Sequence, residues 1–88
     1  MDIKDLRYFV AAYEAKGFAR AAVALNTVQS NVSARIRKLE AFLGETLFER
    51  HHDGVVATAK AELLYRAARR VLAKFDEIPE AVHHKDAA

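Results

Sequence analysis

The chain has 88 residues, 52% of them hydrophobic and 30% charged, with a formal net charge of +2. A chain of that size makes one small domain that buries about two thirds of its unfolded surface, leaving no room for a deep catalytic cavity, so an enzyme is not expected. The lack of cysteine excludes disulfides and thiolate metal sites, and the start MDIKDLRYF, with charges between its apolar residues, reads neither as a signal peptide nor as a membrane span.

Charge is unevenly placed. Residues 1–75 hold 13 Lys and Arg against 8 Asp and Glu, whereas residues 76–88 hold one Lys against four acids. A basic body suits a polyanionic partner and the acidic end should sit away from it, although the same charges also keep a small domain in solution.

The first element is a helix from Ile3 to Ala15, with Leu6, Phe9, Val10 and Tyr13 on one face and Asp2 and Asp5 at its positive end. Lys16-Gly17 closes it, with the glycine expected to take the left-handed position. A second helical stripe, Phe18, Ala21, Ala22 and Leu25, is followed by a third, Val28, Val32, Ile36, Leu39 and Leu43. Only Asn26 and Thr27 separate them, so the two helices must cross steeply over a shared core, the outline of a helix-turn-helix. Thr27 is expected to cap the third helix and Gly44 to end it.

From Thr46 to Thr58 the period changes. Leu47-Phe48 and Val55-Val56 flank Asp53-Gly54, which predicts a tight hairpin leaning on the helices, a wing. A long helix then starts after Thr58, with Leu64, Ala68, Val71, Phe75, Ile78 and Val82 at alternating steps of four and three. That heptad seam calls for a partner helix and predicts a homodimer, with Leu63 and Leu72 off the seam as anchors to the body and Pro79 kinking or ending the helix.

The exposed face of the third helix carries the candidate chemistry. Gln29, Ser30 and Asn31 are candidates to meet base edges in a major groove, Gln29 foremost because its carboxamide can bond an adenine at two positions, and Ala34 can touch a thymine methyl. Thr27, Ser33, Arg35, Arg37 and Lys38 are candidate phosphate contacts. On the wing, Arg50, His51 and His52 are candidates for a minor groove, while Arg50 can alternatively pair with Glu49 or Glu45 and hold the hairpin to the helix. The pairs His51-His52 and His83-His84 lack a further ligand set at metal spacing, and no metal or cofactor is expected. A protein-interaction module using the seam alone is the rival function, but it leaves the polar row after Thr27 without a purpose.

The run ARAAVALNTVQSNVSARIRKLEAFLGETLFER, Ala19 to Arg50, resembles the N-terminal domain of LysR-type transcriptional regulators, and the likeness extends from LRYFVAAYEAKGF through the helix after Thr58. The resemblance implies a mainly α, winged helix-turn-helix domain over 1–58, a dimerisation linker helix over 59–82, a flexible tail over 83–88, and an effector-binding domain absent from this chain, through which a small molecule would act. It further implies a dimer reading an interrupted palindrome in a bacterial cytoplasm, with higher oligomers in fuller-length relatives. Where relatives commonly have Ser-Gln-Pro, this sequence has Val28-Gln29-Ser30. Where many place an arginine directly after the position of Ser33, it has Ala34 and then Arg35, about 100 degrees further round the helix. A glycine often found near the start of the linker helix is here Ala61.

Overall fold

A computed structural model describes residues 1–83 and gives the order α1 (Ile3–Ala15), α2 (Phe18–Ala24), α3 (Gln29–Leu43), β1 (Phe48–His51), β2 (Gly54–Ala57), α4 (Ala59–Asp76) and α5 (Ile78–His83). The architecture is the expected winged helix-turn-helix followed by a long helix. Of the flexible tail predicted for 83–88, His83 instead closes α5, and residues 84–88, His84 among them, lie outside the described residues.

Helix α1 starts at a reciprocal capping box. The Asp5 N–H donates to the Asp2 carboxylate at 2.8 Å and the Asp2 N–H donates to the Asp5 carboxylate at 2.9 Å, so two amides that no helical carbonyl can reach are satisfied. The helix ends differently from expectation. Lys16, not Gly17, takes the left-handed conformation, with φ 57°, while Gly17 is extended and leads into α2.

The tight turn between α2 and α3 is closed by backbone alone. Asn26 sits at φ 56°, its N–H bonds the Val23 carbonyl at 3.1 Å, and the Thr27 N–H bonds the Ala22 carbonyl at 2.9 Å. This is the six-to-one and five-to-two pattern that ends many helices, with asparagine tolerating the left-handed geometry. The expected Thr27 cap is not made: Val28 is the N-cap of α3 and contributes no side-chain bond, and the Thr27 hydroxyl instead accepts from the Asn31 side chain at 2.9 Å. A valine at the cap position has no oxygen to offer, and Thr27 is one residue too early to replace it.

The main core joins α1, α2 and α3 to the wing. Phe9, Val32, Ile36, Leu39 and Leu47 are buried almost completely, and the Phe48 ring lies 5.8 Å from Phe9 and 5.3 Å, edge-on, from Phe18. Burying an aromatic side chain in this way stabilises the fold by about 2 to 3 kcal/mol, which a two-stranded hairpin could not supply alone. Glu40 of α3 also fixes the strand entry, its carboxylate accepting from the Leu47 N–H at 2.8 Å and the Phe48 N–H at 3.2 Å. Strands β1 and β2 pair antiparallel with Phe48 opposite Ala57 and His51 opposite Gly54. The two turn residues are therefore His52 and Asp53, and Gly54, at φ 147°, opens β2 instead of forming the centre of the turn.

Thr58 caps α4 as expected, accepting from the Ala61 N–H at 3.2 Å and donating to the Thr46 carbonyl at 2.7 Å. The predicted seam is corrected in its first half. Leu64 and Ala68 face α1, where Ala68 and Leu72 form a second buried cluster with Leu6. The α1 stripe thus splits, Phe9 facing the main core and Leu6 facing α4. Tyr65 stacks on Tyr13 with ring centroids 4.2 Å apart, which extends the same contact toward the wing. Leu72 anchors the helix as expected, whereas Leu63 is 63% exposed and does not. Helix α4 ends at Asp76 and α5 begins at Ile78, because Pro79 has no N–H to give the Phe75 carbonyl.

Candidate nucleic-acid interface

Helix α3 is the centre of the site, and its orientation follows from its own buried row. With about 100 degrees per residue, Ser30, Ala34, Arg37 and Ala41 lie opposite Val32, Ile36 and Leu39, flanked by Gln29 and Ser33 on the wing side and by Asn31 and Lys38 on the other. Gln29, Ser30, Asn31, Ala34, Arg37 and Lys38 are all exposed, Ser33 is half-buried, and the buried row holds the helix against α1 and α2. The chain therefore presents one continuous exposed ridge, polar or basic apart from Ala34 and Ala41, on the side away from the core.

Two arginines expected to meet DNA, Arg35 on α3 and Arg50 on the wing, are held by the protein itself. Arg35 donates to Asp5 at 2.8 Å, and its guanidinium carbon lies 4.9 Å from the Tyr8 ring centroid. Asp5 is 3% exposed. Burial raises the carboxyl pKa, but the hydrogen bonds from the Asp2 amide and Arg35, with the charges of Arg35 and Lys38, outweigh it and hold Asp5 below the ordinary carboxylate range. Arg35 thus clamps α3 to the start of α1.

Arg50 is turned inward from β1. Its Nη1 donates to Ser33 Oγ at 2.7 Å, its guanidinium carbon lies 4.8 Å from the Phe18 ring centroid, and Nη2 lies 3.6 Å from Glu40. Burial and the nearby Arg37 lower its pKa, opposed by Glu40, but a guanidinium remains charged at neutral pH. The hairpin-holding role of Arg50 is the one the geometry displays, with Glu40 and Ser33 as partners in place of Glu49 or Glu45. His51 and His52 remain exposed at the end of the wing. Among the described residues, no group of three or more His, Cys, Asp or Glu is gathered as metal ligands would be.

A cleft of about 400 Å³ separates the wing from the start of α3, lined by Lys16, Arg20, Gln29, Ser33, Arg50 and His51 among others. It brings together the wing and recognition-helix residues that the sequence placed in separate groups. Glu40 is the functional neighbour that sequence reasoning missed. Its place beside Leu39 marks it only as an edge position of the helix, and nothing local foretells that it binds two strand amides.

On α4 and α5 the large exposed apolar side chains are Leu63, Val71, Phe75, Ile78 and Val82. Val71, Phe75 and Ile78 therefore remain exposed from the predicted seam, while Ala68 is buried against α1 and Leu64 is half-buried there. Arg7 bridges this region to α1, bonding Asp76 at 2.6 Å with its guanidinium 5.7 Å from the Phe75 ring centroid. Among the described residues, no helix is long and apolar enough to cross a membrane.

Comparison with known proteins gives this geometry a family. Residues 3–62 match the model described as "Bacterial regulatory helix-turn-helix protein, lysR family". The chain is 42% identical over 82 residues to the uncharacterised HTH-type transcriptional regulator YusT of Bacillus subtilis (strain 168), covering 93% of this chain and 28% of that protein. It superposes with a TM-score of 0.89 on a CbnR_DBD–DNA complex, at 34% identity and covering 93% of this chain and 94% of that one. A BenM_DBD complex with benA site 1 DNA gives the same TM-score of 0.89 at 32% identity, covering 100% of this chain and 99% of that one. The chain thus spans less than a third of the length of its curated relative, but nearly the whole of the DNA-binding domains it superposes on. From the capped α1 to the wing, it belongs to the LysR family of bacterial regulatory helix-turn-helix proteins.

Proposed function

We propose that this chain is the DNA-binding domain of a transcriptional regulator, which lodges α3 in the major groove of double-stranded DNA and pairs with a second copy through the exposed face of α4. The observation that carries this reading is the exposed ridge of α3, aimed away from a core that fixes its direction. The DNA complexes of CbnR and BenM, matched over nearly the whole chain, support it. In this reading Gln29, Ser30, Asn31 and Ala34 meet base edges, Ser33, Arg37 and Lys38 meet phosphates, and Thr27 contributes at the start of the helix. His51 and His52 approach the minor groove. Arg35 and Arg50 support the frame and act on DNA only indirectly.

Residues 1–58 form the reading head and 59–82 the linker, with α5 a separate short piece of it. Dimerisation falls to Val71, Phe75 and Ile78, and places two heads on half-sites related by two-fold symmetry. The role is binding and not catalysis, in a bacterial cytoplasm, with any effector acting through a further domain.

Selecting bound duplexes from a random pool tests the reading, because it yields half-site, spacing and symmetry together. A salt titration accompanies it: with about six phosphates neutralised, log K falls against log salt with a slope near -5. Absence of duplex binding at low salt overturns the proposal and leaves the rival protein-interaction module.

A further inference from the structure

Arg50 meets Ser33 where the wing touches the exposed ridge of α3. A serine within a helix ordinarily has two uses for its hydroxyl hydrogen: to bond the carbonyl four residues back, here that of Gln29, or to reach outward. Among the described residues the Ser33 hydroxyl gives no bond to the Gln29 carbonyl, and the side-chain bond it makes is the one it accepts from Arg50. Nη1 has only hydrogens to give, so at 2.7 Å it occupies a lone pair of Ser33 Oγ and leaves the hydroxyl hydrogen for another acceptor.

The guanidinium has little freedom to do otherwise. It lies against the Phe18 ring, beside Glu40, and its Nη2 is buried without a hydrogen-bond partner. A bond from a cation is stronger than one between neutral groups, and it polarises the hydroxyl into a better donor. Phosphate oxygens are acceptors only, and the cleft beside Ser33 also carries Lys16 and Arg20 on its wall.

We infer that Arg50 is a positioning residue for DNA, which binds the Ser33 oxygen from inside the fold and leaves the Ser33 hydroxyl hydrogen to donate to a backbone phosphate. The inference rests on the DNA-binding reading above. It assigns Arg50 no bond of its own with phosphate, and it makes the wing a support for the recognition helix as well as a second reader. Because phosphate carries no sequence information, the effect is the same on every duplex.

Binding of mixed-sequence duplex DNA is measured against salt for the unmodified chain, Ser33→Ala, Arg50→Gln, Arg50→Lys and the Ser33→Ala, Arg50→Gln double variant. Thermal melts report folding of each. Ser33→Ala and Arg50→Gln are each expected to weaken binding roughly tenfold, and the double variant to bind no worse than either alone. The salt slope stays unchanged in all of them, because the group that meets the phosphate is a neutral hydroxyl, which displaces no counterion. Arg50→Lys keeps the charge near Glu40 but lacks the fork that reaches Ser33, and falls to the same level. Should Arg50→Gln fail to fold, Arg50→Lys carries the comparison. Additive losses, a slope shallower by about one in Arg50→Gln, or full binding by Arg50→Lys overturns the inference, the second by showing that Arg50 meets phosphate directly. An unmodified chain that binds no duplex overturns the DNA-binding reading itself, an outcome distinct from these.

Discussion

The Arg35 guanidinium and the Asp5 carboxylate lie 2.8 Å apart, joining the middle of the recognition helix to the first turn of α1. Asp5 is also half of the capping box, so one carboxylate serves a helix start and a helix crossing together. Arg35→Ala leaves that buried carboxylate without its cation and is expected to cost about 2 kcal/mol, lowering the melting temperature by about 10 °C. Once folded at low temperature, the variant should keep the salt slope of the parent for duplex binding. A slope shallower by about one would instead place Arg35 on a phosphate.

The same carboxylate sets a pH dependence. The pKa of Asp5 is lower in the folded chain than its ordinary value of 3.8. The unfolded chain therefore takes up a proton first as pH falls, and the stabilisation present above that value is lost progressively below it. Melting temperature should drop from about pH 5 downward, and Asp5→Asn should start lower and show a shallower fall over that range. Parallel curves for parent and variant would assign the acid sensitivity elsewhere.

Arg37 and Gln29 separate positioning from reading. Arg37→Ala removes an exposed cation from the ridge and should weaken all duplexes alike, with a shallower salt slope. Gln29→Ala should weaken a selected site by roughly 1 to 3 kcal/mol and relax preference at one position per half-site, with little change on mixed sequence. Equal losses on both kinds of duplex would show that Gln29 only holds the protein in place.

Two substitutions on α4 distinguish its faces. Val71→Asp alters a residue that is 45% exposed and should yield a folded monomer by sedimentation at protein concentrations where the parent is dimeric. Ala68→Asp places a charge where the side chain is 1% exposed against α1, and should lower the melting temperature of the chain whatever its association. A Val71→Asp chain that remains dimeric would move the interface away from the exposed row.

Much of this arrangement is legible in the sequence because periodicity reports burial. The bounds of α1, the separation of α2 from α3, the Thr58 cap and the break near Pro79 follow from spacing and from what each residue's backbone allows. Spacing does not reveal which of two apolar neighbours a stripe will meet. Leu64 and Ala68 suit a partner helix as well as they suit Leu6 of their own chain, and the nearer neighbour holds them. Long polar side chains are less legible still, since Arg35, Arg50 and Glu40 find partners 30, 17 and 7 residues away. A basic residue on an exposed helix therefore reads as a DNA contact until the fold shows which acid or hydroxyl it reaches.

The break at Glu77 has a consequence for assembly. A stable protein interface commonly draws on about 20 to 30 residues from each side, whereas the exposed apolar residues left on the seam are Val71 and Phe75 on α4 and Ile78 and Val82 on α5. Two copies meeting only there would be governed by mass action, separating on dilution and joining at higher concentration. A duplex with two half-sites raises the local concentration of its first occupant's partner. Occupancy of such a duplex should then climb steeply with protein concentration, while a single half-site fills in simple hyperbolic fashion.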